Sequence, residues 1–106
     1  MNDRELLELA AKAAGYNYLP ANSAIVVDGI PGNWNPLTDD GDALRLAVKL
    51  KLAIRPLEKC VFVESDPETL LGQSQFSELE MYGSDPNAAT RRAIVRAAAE
   101  IGKAMP

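Results

Sequence analysis

Three groups of side chains in this 106-residue chain have the types and spacing to do chemistry. Asp39, Asp40 and Asp42 form the densest acidic cluster. Neighbouring carboxylates can hold Mg²⁺, or raise one another's pKa until one serves as a general base. Standing with Thr38 just before a helical pattern, the same residues can instead cap the helix and complement its dipole. An EF-hand loop would need further oxygens and a closing Glu. Capping is the preferred reading, and the three aspartates remain weak metal candidates.

The second group is Asn33-Trp34-Asn35, within the turn-rich run Gly29–Pro36. An indole between two amides can stack on a base or fill a partner's pocket. It can also fold back as a lid on the core. With six aromatics in the whole chain, the core has need of it, so the lid is preferred.

The third group is Arg91, Arg92, Arg96 and Lys103, set in the last helical segment. Arg92, Arg96 and Lys103 fall on one side of a helical wheel and could meet phosphates or an acidic protein surface. Solvation alone is the simpler reading of such a ridge, and Arg96 and Glu100 are spaced for an i,i+4 pair. Sequence-reading of DNA is disfavoured, because Asn87 is the one amide on this segment able to read an adenine edge.

Several classes are excluded outright. The chain has no His, which removes Ser-His-Asp and Cys-His machinery and His-ligated zinc. Its one cysteine, Cys60, makes no internal disulfide and lies in an apolar strand pattern where a thiol is mostly packing. No Gly-Lys-Ser/Thr phosphate loop occurs. No catalytic residue or cofactor is assigned, and an enzyme is not expected. No apolar run approaches the roughly 20 residues that span a bilayer, and the N-terminus lacks a signal-peptide pattern, so a cytoplasmic, non-secreted protein is expected. Net charge is −4, with 7 basic against 14 acidic residues up to position 85 and 4 against 1 thereafter.

These groups must be positioned by a small set of elements. Asn2 and Glu5 offer a capping box for a helix over Asn2–Ala14, stopped by Gly15. Tyr16–Leu19 is a short strand at best before Pro20. Ala24–Val27 is β-branched and ends at the turn signal Asp28-Gly29. Residues 31–36 read as turn throughout. A second helix over Ala43–Leu50 has so wide an apolar arc that neighbours are expected to cover most of it. Leu52–Arg55 and Cys60–Glu64 read as strands around Pro56. Asp66–Gly72 reads as a capped turn, and Gln75–Tyr82 as a strand with one wet face. Asp85 and Pro86 open the last helix, which runs to about Ala104. The pattern predicts one α+β domain, a layered sandwich of three helices packed on one mostly antiparallel sheet of three to five strands.

Three segments, Asp3–Gly15, Trp34–Leu46 and Ala88–Gly102, resemble the small bacteriophage and prophage family called the phage ABA sandwich domain. The resemblance implies a layered helix–sheet–helix domain, with both sheet faces covered, made inside a bacterial host. It brings no catalytic residues with it. The resulting expectation is a non-enzymatic phage accessory protein that binds a host protein, inhibitory or anti-defence roles included, through Trp34, Asn33, Asn35, Arg91, Arg92, Arg96 and Lys103. Nucleic-acid binding through the last helix and metal-dependent activity at Asp39, Asp40 and Asp42 are the alternatives. No membrane partner is expected, and a homo-oligomer is compatible with the alanine-lined helix faces.

Overall fold

Asn2 opens the first helix, α1 (Asp3–Ala14), by accepting a 2.9 Å hydrogen bond from the Glu5 N–H. Gly15 closes it in the left-handed conformation, φ 76°, which costs a glycine little. The computed structural model describes residues 1–65 and 77–106. The turn expected over Asp66–Gly72, and Gln75 and Phe76 of the last strand, lie outside the described residues.

The chain then forms β1 (Asn17–Leu19), β2 (Ala24–Val27) and β3 (Ile30–Asn33), an antiparallel sheet in the order β1-β2-β3. Asp28 and Gly29, both at positive φ (54° and 78°), make the two-residue turn that suits the twist of a hairpin. The reading of residues 31–36 as turn is corrected here, since Ile30–Asn33 is a strand. Val27 pairs with Ile30 and Ile25 with Gly32, while Trp34 N–H donates to Ser23 O at 2.8 Å. By alternation, the backbone groups of Pro31 and Asn33 point off the sheet's edge. Pro31 therefore removes no ladder bond.

Helix α2 (Asp40–Leu50) follows, with Asp39 accepting from Asp42 N–H as its cap. Next come β4 (Ala53–Pro56), β5 (Cys60–Glu64) and β6 (Ser77–Met81), a second antiparallel sheet in the order β4-β5-β6. The strands are thus antiparallel as the pattern requires, and α2 divides them between two sheets. Helix α3 (Pro86–Ala104) closes the fold, capped by Asp85 on Ala88 N–H at 3.0 Å.

Helix α3 is the centre of the molecule. One side carries α1 and another lies on β5 and β6, with α2 also against it. Its alanines make this possible: Ala93, Ala97, Ala98 and Ala99 are fully buried beside Ile94, Val95 and Ile101. Gly102 admits a close approach of α1, since a Cβ there would stand 2.0 Å from the Leu9 carbonyl oxygen. The facing side of the second sheet supplies Val61 and Val63, both fully buried. Its other face carries no helix among the described residues, so the two-sided cover that the family resemblance implies is not seen there.

Helix α2 also departs from expectation. Ala43, Leu46, Ala47 and Leu50 enter the core, but Leu44 and Val48 are 59% and 63% exposed. The wide apolar arc is real. Neighbours cover only part of it.

Candidate functional site

The first sheet meets α1 through β1 and drives one wedge into the core. Trp34, one residue past β3, is only 4% exposed, and its ring meets Tyr16 and Tyr18 edge-on at 5.8 and 5.6 Å between centroids. Edge-to-face contact of this kind is the favoured aromatic geometry. Above the wedge, hairpin and helix diverge and leave a cleft of about 540 Å³.

The two walls differ in chemistry. Strand alternation puts Ile25, Val27 and Ile30 on the same face of the sheet as Trp34, and they form an apolar wall. Val27 and Ile30 flank the turn and stand 50% and 71% exposed. The opposite wall is α2, presenting Asp42, Arg45 and Lys49. Asp42 is engaged twice, accepting from Asn35 N–H at 2.9 Å and from Arg45 Nη2 at 2.7 Å. The hydrogen bond to Asp42 chiefly, with Asp39 at 3.9 Å assisting, holds the exposed Arg45 guanidinium above its ordinary pKa. Lys49 sits 5.5 Å from the centre of the Tyr16 ring. An apolar wall facing the Lys49 ammonium suits a partner segment carrying aliphatic side chains next to a carboxylate. Among the cleft's lining residues there is no pairing of a nucleophile with a base.

Of the residues singled out from sequence, Asn33, Trp34 and Asn35 gather at this cleft and the hollow beside it. Their roles differ from the exposed anchor considered earlier. The Trp34 indole belongs to the core, so the lid is what the structure contains. Asn35 organises the entry to α2, its side chain accepting from Leu37 N–H at 3.0 Å. Asn33 remains exposed at the strand end.

The basic residues lie elsewhere and are largely spent. Arg91 clips the α2 entry to α3, donating to Leu37 O at 2.9 Å and to Asp40 at 2.6 Å. Arg92 bonds Asp3 at 3.2 Å. Arg96 reaches from α3 to β6 and bridges Glu78 and Glu80 at 2.9 and 2.8 Å. Burial raises the Glu78 carboxyl above its ordinary pKa despite Arg96, with Glu100 and Glu80 adding to the rise. Lys103 is exposed near the α3 terminus. Arg92 and Arg96 line a hollow of about 310 Å³ with Glu78, Glu80 and Glu100, distinct from the Trp34 cleft.

The aspartates likewise have separate duties. Asp39 caps α2, Asp40 pairs with Arg91, and Asp42 holds Asn35 and Arg45. Among the described residues, no three Asp, Glu or Cys side chains converge as a metal site would require, and no helix is long and apolar enough to cross a membrane.

No known protein family, characterised protein or solved structure matches the chain. The functional reading therefore rests on the cleft itself.

What sequence reasoning missed was the apolar wall. Its signal was present in Val27-Asp28-Gly29-Ile30, because a two-residue turn needs a strand on both sides. The two prolines nearby pointed to a loop instead.

Proposed function

We propose that this protein is a small phage or prophage accessory protein that binds a protein of its bacterial host in the cytoplasm, without catalysis, and that the hairpin–α2 cleft is the docking surface. The observation that carries the reading is the pair Val27 and Ile30, left half or more in water in the apolar wall they form with Ile25. Contiguous apolar surface on a small domain favours a partner that removes it from water. Lys49 across the cleft would select an acidic neighbour in that partner. Occupying the host protein's surface would block or redirect its activity, a defence component being one such target.

The test is retention of a host protein from lysate on the immobilised wild type, its identification, and titration of the purified partner. The double variant Val27→Asp, Ile30→Asp changes two exposed side chains and should keep the fold. A loss of affinity of at least about tenfold, roughly 1.4 kcal/mol, is expected. Equal retention by this variant, or no specific retention by wild type, overturns the proposal.

Binding of nucleic acid by the last helix draws less support, since Arg91, Arg92 and Arg96 each already face a carboxylate. Affinity for DNA that falls steeply with salt and disappears in Arg92→Glu, Arg96→Glu would put that reading first.

A further inference from the structure

The hairpin–α2 cleft is lined by the first sheet in two different ways. The face of a strand meets a cleft with alternate residues, because successive side chains point to opposite sides. Strand β2 does this, giving Ile25 and Val27. Strand β3 gives Ile30, Pro31, Gly32 and Asn33, four residues in succession, and all of them are exposed. Consecutive lining means that the cleft reaches the edge of β3 as well as its face. In the order β1-β2-β3, that edge pairs with no strand among the described residues. By the register, Asn33 points its N–H and C=O off the edge, and Pro31 its C=O. On the cleft side, a Cβ at Gly32 would meet nothing within 4 Å, so there is room beside the edge for an incoming side chain. Across the cleft stands the Lys49 ammonium, in no ion pair among the described residues.

Resting on the reading of this cleft as the docking surface, we infer that the partner enters it as an extended segment. That segment pairs with the edge of β3 as a fourth strand and carries aliphatic and acidic side chains on its cleft side. The edge selects the extended form. Only a strand presents N–H and C=O groups at the spacing of Asn33 and Pro31, whereas a helix spends its own internally. The aliphatic side chains cover Val27 and Ile30, and the acidic one meets Lys49. Pro31 argues against a second copy of this chain as the occupant. In two β3 strands related by a two-fold axis at Gly32, each Asn33 faces the other's Pro31, and one bond of each pair is lost for want of the proline N–H. Proline on an edge is a device against such self-pairing.

The probe is a short peptide selected from a random displayed library on the immobilised wild-type chain, then synthesised with a fluorescent label for anisotropy titration. The selected peptides should carry aliphatic and acidic residues at alternate positions. Asn33→Pro removes the free N–H, leaves the β2–β3 bonds in place, and should weaken binding at least about tenfold. Asn33→Ala keeps that N–H and should bind as wild type does. Both variants should keep the wild-type circular dichroism spectrum. N-methylation of the peptide should weaken binding at alternate amides, those that face β3, and not at the amides between them. No enriched peptide, equal binding by Asn33→Pro, or indifference to N-methylation overturns the strand pairing. Retention of the host protein from lysate separates this result from the docking reading. Loss of retention in Val27→Asp, Ile30→Asp with equal retention by Asn33→Pro overturns the strand pairing and leaves docking at the cleft standing. Equal retention by both variants overturns the two together.

Discussion

The two sheets have the same size and the same simple strand order, yet different forces hold them in place. The first meets α1 through β1 and sends into the core one indole, flanked by its own tyrosine rings. The second lies broadly on α3, through Val61 and Val63, and is clamped at its edge by Arg96. A sheet held along β1 and at Trp34 leaves the hairpin end of its face open, and the cleft lies there. A sheet held along its length keeps its inner face shut, so any contact it makes must use its outer face. The difference teaches that the free surfaces of this molecule are set by how each sheet is anchored.

Removing the buried indole should have the largest effect. Trp34→Ala removes a buried ring and is expected to cost about 3–5 kcal/mol in urea unfolding. Amide exchange should accelerate first in β1–β3 and less in β4–β6. Uniform acceleration across both sheets would remove the contrast.

Next comes Gly102→Ala, which places a methyl against the Leu9 carbonyl and forces α1 away from α3. Overpacking against rigid backbone predicts a loss of about 3 kcal/mol, read from the same unfolding curve. A neutral result would mean that the two helices separate easily, and the second sheet's platform would be softer than described.

The smallest effect sharpens the edge clamp. Glu78 binds its proton more tightly in the fold than in the unfolded chain, because burial penalises its charge. Its contribution is therefore fully present at pH below the ordinary carboxylate range and is lost as pH rises through its folded value. Glu78→Gln carries no such charge, so its stability relative to wild type should improve between about pH 4 and pH 7. A stability difference that stays constant with pH would show that Arg96 compensates the buried charge completely.

Much of the local structure was legible because its causes are local. Asn2, Asp39 and Asp85 each cap the helix that follows by a bond three residues along, and Asp28-Gly29 turns the hairpin. The third strand was not legible, because Pro31 is tolerated only where its missing N–H points off the sheet, and that depends on register. The site divides in the same way. Trp34 was marked by its rarity, but its place in the core depends on Tyr16 and Tyr18 arriving from β1 and the segment before it. The arginines were marked by their helical spacing, and their neutralisation depends on Asp3, Asp40, Glu78 and Glu80 coming from distant parts of the chain.

The sequence by itself determined the three helices seen among the described residues, their capping residues, the antiparallel character of the strands and the absence of histidine chemistry. These follow from composition, capping and periodicity, which act over a few residues. Only the tertiary structure decided which apolar residues stay in water. Val27 and Ile30 carry the same β-branched signal as buried strand residues, and Leu44 and Val48 continue the apolar arc of a helix that is otherwise in the core. Burial is settled by which elements pack against which, and here α1, α2 and the second sheet all pack on α3.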